Sequence, residues 1–298
     1  MAQEIMADNV SNLENKPWLY EIAPKGKLFA LNFSEIWRYR DLLLMFVKRD
    51  IVTYYKQTVL GPLWFLIQPL LTSVIQFVIF NKIAQIQSDG ANYFLFAFAG
   101  NTLWFYFADC FKSTSETFKT NQNIFGKVYF PRVIMPISVT ISNLLKFGIQ
   151  FVFFLALLFY FMWKGNAVMP RWEIIFTPII MLVMALISLG LGMIISSMTN
   201  KYRDLSFLVG FGIQLYMYLT PVVYPASLVI EKLRPYGYEN LIYLNPLTSV
   251  FEFFKYAYLG SGEFTAFGLI YSCSFAVFIF LFGLIIFNKT EKSFIDTV

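Results

Sequence analysis

The sequence predicts an all-α integral membrane protein: six spanning helices, an amphipathic helix before the first, and re-entrant external helices between the fifth and sixth. Three observations carry this. Six apolar runs, 62–80, 93–111, 137–163, 173–198, 205–224 and 264–288, approach the length of about twenty residues that crosses the hydrocarbon. Within them the apolar residues are continuous instead of alternating, the pattern of helices and not of a barrel. The chain is also too apolar for one soluble core. It is 58% hydrophobic and 14% charged with a mean hydropathy of +0.60, where soluble domains carry about 25% charged residues.

Residues 1–33 read as a mixed, extended segment on the cytoplasmic surface. Glu4, Asp8, Glu14 and Lys16 place polar residues where a cleavable leader would need an apolar core, so none is expected. The segment 34–56 follows as an amphipathic interface helix, with Ser34 as its cap. In SEIWRYRDLLLMFVKRDIV (34–52), Arg38, Asp41, Lys48 and Arg49 share one sector at 100° per residue. Ile36, Leu43, Leu44, Val47 and Ile51 take the opposite one, as in a helix lying at a lipid boundary. Residues 57–298 read as the six-helix transmembrane domain, with an external re-entrant region at 225–263.

The first span contains Pro69, tolerable at membrane depth when a neighbouring helix or side chain satisfies the freed carbonyl. Along it Trp64, Gln68, Thr72 and Gln76 recur every four residues. On the fifth span Phe207, Phe211, Gln214, Tyr218 and Pro221 hold one face. Glutamine in hydrocarbon is costly unless it meets a partner or a wet cavity. Aromatic faces with amides suit a sugar chain, whose C–H faces stack on rings while its hydroxyls exchange hydrogen bonds. Interhelical hydrogen bonding with aromatic packing is the competing explanation. Between spans five and six, residues 225–263 are too polar and interrupted for a clean crossing, with Asn245-Pro246, Glu252 and Lys255 inside the apolar stretch.

Charge sets the expected orientation. The segments on the side of the N-terminus carry sixteen Lys and Arg against six on the other, so both termini are expected in the cytoplasm. The net charge of +5 reflects that leaflet, and nothing suggests nucleic acid. Histidine is absent, which excludes His-based triads and most zinc sites. Cys110 and Cys273 both lie in apolar runs and read as small hydrophobes. GLIIFNKT (283–290) imitates a phosphate loop, but Asn288 stands where the second glycine is needed, so no ATP site or other cofactor is expected in this chain. No carboxylate cluster suits a membrane enzyme, and no ionisable relay at membrane depth suits proton coupling. Energy is therefore expected from outside the chain.

RDIVTYYKQTVLGPLWFLIQPLL (49–71), YFPRVIMPIS (129–138), KYRDLSFLVGFGIQLYMYLTPVVYP (201–225) and NPLTSVFEFFKY (245–256) together resemble ABC exporter permeases for polysaccharides, such as O-antigen, teichoic-acid and capsule exporters of the type V fold. The resemblance implies a permease that homodimerises in the bacterial cytoplasmic membrane and recruits two separate ATPase subunits, which bind ATP and Mg. The implied cargo is a lipid-linked polysaccharide; a drug or simple lipid is the alternative. It implies that the two stripes of both protomers line the channel. Tyr55, Lys56, Leu60, Gly61 and Pro62 would form the cytosolic mouth. Arg38, Arg49, Glu116, Asn121, Arg203 and Asp204 would couple to the ATPases. Pro221, Tyr224, Pro225, Asn245 and Pro246 would belong to an external gate.

Overall fold

Pro69 removes one helical hydrogen bond, and the way the protein replaces it shows how the bundle is assembled. The computed structural model describes residues 33–56, 61–125, 127–128, 130–166, 169–199 and 204–295, and no strand occurs among them. Helix α1 (Phe33–Arg38) and helix α2 (Arg40–Tyr55) precede helix α3 (Trp64–Gln76). A 3-10 turn at Gly61–Leu63 leads into α3, and a π-helical stretch at Phe77–Ile83 continues it. Gly61 has φ +49°, a conformation that favours glycine, and this lets the chain change direction before Pro62.

Within α3, proline at 69 cannot donate to the carbonyl of Phe65 four residues back. Gln150, from helix α7 (Ile134–Trp163), donates its Nε2 to that carbonyl at 3.0 Å. One turn further on, Ser73 Oγ donates to the Pro69 carbonyl at 2.7 Å. Asn101 of helix α4 (Tyr93–Ser115) then donates both to Ser73 Oγ, 2.7 Å, and to Gln76 Oε1, 2.8 Å. Polar side chains of two neighbouring helices thus tie α3 to the bundle.

Helix α4 is the centre. Its N-terminus is capped by Asn92, whose side chain accepts from the Phe94 amide at 3.0 Å. Of its most apolar window 78% is buried, against 17% for the first crossing. It packs against α3, α7, helix α8 (Thr177–Thr199) and helix α9 (Leu205–Leu219). A 3-10 segment, Trp172–Phe176, extends α8. Pro136 sits in the first turn of α7, where no intrahelical donor is required. The short helices α5 (Thr117–Thr120) and α6 (Gln122–Phe125) link α4 to α7. Helix α10 (Ala226–Leu233) and helix α11 (Thr248–Leu259) precede helix α12 (Ala266–Ile295). Helices α8 and α12 cross at glycines: a Cβ on Gly283 would stand 2.3 Å from the carbonyl oxygen of Gly190. Only glycine permits that approach.

The fifth expected span is cut short. Helix α9 ends at Leu219, not at 224, and its fifteen residues cover about 22 Å, less than the hydrocarbon thickness of about 30 Å. The cause is Pro221, which forces Thr220 out of helical space, to φ −108° and ψ 140°. Among the described residues five helices are long and apolar enough to cross a membrane, and α9 is a shorter apolar helix. In α2 the buried anchor is Phe46, which falls in neither expected sector and lies 5.7 Å from the Phe130 ring. Leu44, expected on the apolar face, is exposed together with Met45.

The connections gather at two ends. At one, Thr199 Oγ1 donates to the Ser115 carbonyl at 3.0 Å and Phe118 stacks on Phe287 at 4.6 Å. At the other, residues 90–92, 165–166 and Leu259 surround one shared cavity.

Two substitutions test the proline repair. Gln150→Leu strands the Phe65 carbonyl and is expected to cost about 1–3 kcal/mol, read as a fall in the detergent melting temperature. Adding Pro69→Ala restores the missing helical donor, so the double variant should regain most of the loss. Equal melting temperatures for wild type and Gln150→Leu would refute the repair.

Candidate functional site

The two stripes lie on helices that both pack on α4, and both keep most of their members at the surface of the protomer. On α3, Trp64 is 52% exposed and Gln68 is exposed, while Thr72 is half-buried and donates its Oγ1 to the Gln68 carbonyl at 2.8 Å. Gln76 departs from the stripe. It is buried, and its amide oxygen accepts from Asn101 of α4. On α9, Phe207 is 82% exposed, Phe211 60% and Tyr218 60%, with Gln214 exposed between them. The opposite side of α9 holds buried Ile213 and half-buried Tyr216, whose ring meets Trp104 and Phe107 of α4 at 6.0 Å each.

At the cytosolic mouth expected from the sequence, Tyr55 is the last residue of α2 and Lys56 leaves it in extended conformation with its side chain exposed. Gly61 and Pro62 are half-buried, and Leu60 lies outside the described residues. Among the expected coupling residues, Arg38 and Asp204 are exposed and Glu116 is half-buried at the turn between α4 and α5. Arg49 is paired with its neighbour Asp50 at 2.8 Å and lies over the Phe46 ring. Asn121 is buried and donates to the Thr117 carbonyl at 3.0 Å, within the turn it caps. Arg203 lies outside the described residues. An aromatic chain runs through this end, from Phe46 to Phe130, Phe125, Phe118 and Phe287.

At the far end the structure brings the five expected gate residues together. Pro221, Pro225 and Pro246 are buried, and Tyr224 OH donates to the Tyr218 carbonyl at 2.9 Å. Asn245 joins α9 to the segment before α11. Its Oδ1 accepts from Tyr216 OH at 2.7 Å, and its Nδ2 donates to the Leu219 carbonyl at 3.1 Å and to Thr220 Oγ1 at 2.9 Å. The carbonyls left open where α9 stops are therefore occupied by a side chain. Tyr93 OH closes the same turn from α4, donating to the Val223 carbonyl at 2.5 Å.

Beneath this turn lies a pair whose role the sequence left unread. Glu252 and Lys255, one turn apart on α11, are both fully buried, with Lys255 Nζ 3.7 Å from Glu252 Oε1. Lys255 Nζ also donates to the Pro221 carbonyl and sits 3.7 Å from the Phe96 ring centre. Glu252 accepts from the amides of Ala226, 3.4 Å, and Glu263, 3.2 Å. Charges at i and i+3 inside an apolar stretch were the available signal. Their target, a carbonyl thirty-four residues away, was not.

Apolar crossings around a buried central helix, with aromatic and amide faces turned outward, define a multi-pass membrane protein. Residues 41–259 match the family described as ABC-2 type transporter, and the chain belongs to it. It is similar to two O-antigen export system permease proteins RfbA of Klebsiella pneumoniae, 30% and 27% identical, each over 86% of this chain and 94% of the relative. A protein of the same description from Myxococcus xanthus is 26% identical over 72% of this chain and 79% of its own length.

Removing one member of the buried pair leaves the other charge uncompensated. Lys255→Met is expected to destabilise the protein by about 3–5 kcal/mol, visible as lost monodisperse protein after mild heating in detergent. Glu252→Gln combined with Lys255→Met should recover part of that loss. Full stability of Lys255→Met alone would show that the pair does not hold the turn.

Proposed function

We propose that this chain is the transmembrane subunit of an ATP-driven exporter that moves a lipid-linked polysaccharide across the bacterial cytoplasmic membrane. It works as a homodimer with two separate ATPase subunits. The observation that carries the reading is the exposed line of Trp64, Gln68, Phe207, Phe211, Gln214 and Tyr218 on α3 and α9. Amides such as Gln68 and Gln214 are not stable facing lipid, so this side of the protomer calls for a second copy or a wet channel. Rings spaced along both helices give a glycan successive stacking platforms, with amides for its hydroxyls. The resemblance to O-antigen export permeases over most of the chain supports a glycan over a drug or simple lipid.

In this reading Arg38, Glu116 and Asp204 meet the ATPases at the cytosolic end, and the turn at Pro221 to Pro225 with Asn245-Pro246 forms the external gate. Both termini are cytoplasmic. Helix α9 is short, so its gate end stops within the membrane, and α10 and α11 are re-entrant elements that fill the remaining depth. The chain supplies the path and the ATPases supply the energy.

Substitution of the stripe rings tests the path. Trp64→Ala, Phe211→Ala or Tyr218→Ala removes about 0.5–1.5 kcal/mol of stacking, which changes transit up to about tenfold. Surface glycan and permease abundance are measured together in each variant. Glycan falling more than abundance is the expected result; a fall only in proportion to abundance returns the rings to packing. Asp204→Lys should uncouple export from ATP hydrolysis while leaving insertion intact, checked by ATPase activity of the assembled complex beside surface glycan. Normal export in that variant would place the coupling elsewhere.

A further inference from the structure

The central helix carries a charge on the one side it leaves open. Between Leu95 and Cys110 of α4 only Phe105, Ala108 and Asp109 escape burial, and their spacing puts them on a single face. Asp109 lies six residues before the end of α4 at Ser115, a depth of about 9 Å along the helix. Its Oδ2 accepts from Lys146 Nζ of α7 at 3.0 Å. The lysine side chain is 16% exposed, but the aspartate keeps 42% of its surface open. An open carboxylate at this depth is not stable against acyl chains. The face it stands on therefore calls for water.

The pair adjoins the exposed stripe of α3. Lys146 Nζ stands 5.6 Å from the Phe65 ring centre. The Phe65 carbonyl takes the Gln150 bond, so Lys146 and Gln150, one turn apart on α7, both meet the first turn of α3. Trp64 precedes Phe65, and Gln68 follows it one turn later. Both are exposed. One half-buried ring thus separates the ion pair from the first members of the stripe.

The chemistry of the pair selects its ligand. Together the two groups are neutral, so a phosphate would gain Lys146 only by meeting Asp109. A hydroxyl both donates and accepts, and suits either group. Among the described residues Asp109 accepts only from Lys146, through Oδ2, which leaves Oδ1 for another donor. We infer that Asp109 and Lys146 form a sugar-hydroxyl contact at the start of the path, a role that rests on the glycan reading given above. The carboxylate accepts from a hydroxyl of one sugar unit, and the ammonium steadies the carboxylate while that unit stacks on Trp64.

The test has two arms. The first asks whether the face is wet. In the full chain with Cys110→Ala and Cys273→Ala, Ala108→Cys is compared with Val152→Cys, an exposed apolar position of α7. A charged methanethiosulfonate is applied to inside-out membrane vesicles. Ala108→Cys should react at least about tenfold faster, because the reactive thiolate needs water around it. Equal rates would place Asp109 against lipid or a covering protein and overturn the inference.

The second arm removes both charges together, so that neither is stranded. Asp109→Leu with Lys146→Met should keep abundance and melting temperature close to wild type. Surface glycan per permease should fall about tenfold, the worth of one charge-assisted hydrogen bond. Asp109→Glu, which keeps the carboxylate, should retain most export. Normal export by the double variant overturns the inference. If that variant accumulates poorly, Asp109→Asn decides, since it keeps an acceptor for Lys146 and weakens only the hydroxyl contact; unchanged export there overturns the inference too. Deleting the whole chain separates the two readings. Surface glycan that survives deletion refutes the glycan cargo, whereas glycan lost on deletion but normal in the double variant refutes only the contact at Asp109.

Discussion

A backbone carbonyl at membrane depth must find a donor inside the protein, and the bond from Gln150 to the Phe65 carbonyl meets that demand where Pro69 creates it. This bond fixes the placement of α3 against α7. The Asn101 bonds to Ser73 and Gln76 then fix it against α4. With both contacts made, α3 can neither slide nor turn without stranding polar groups in an apolar medium. Its Trp64 and Gln68 edge is thereby held at the surface of the protomer. A proline that would weaken a soluble helix serves here as the point at which two neighbours take hold.

The far end obeys the same rule with charges. Where α9 stops at the prolyl turn, its open carbonyls go to Asn245, and the Pro221 carbonyl goes to Lys255. Glu252 balances that ammonium and gathers the amides of Ala226 and Glu263. A buried ion pair contributes little net stability when its desolvation cost is counted. What it contributes here is position, because one carboxylate and one ammonium hold four separate segments in a single arrangement. These bonds tie the α9 terminus to α11.

The two surfaces of the protomer follow from these constraints. Helix α4 takes the centre and buries 78% of its apolar window, which leaves α3 and α9 on its flanks with amides and rings outward. The cleft among α8, α11 and α12 is apolar along its wall. In the proposed reading the first surface meets a partner copy and a hydrated cargo.

By itself the sequence determined the membrane class, the all-α fold and the approximate position of the five long apolar helices. Those properties depend on long runs of apolar residues, and a run is visible without neighbours. The exposed rings of α9 were legible for the same reason, since 100° per residue is a local rule. Tertiary structure alone decided that the fifth run ends at Leu219, that Gln76 and Asn121 turn inward, and that Phe46 is the anchor of α2. It also decided the use of Lys255, whose carbonyl partner lies thirty-four residues away. Whether a polar side chain faces a channel or a neighbouring helix depends on which donors and acceptors the fold brings beside it. No spacing along the chain encodes that, because the partner belongs to another helix.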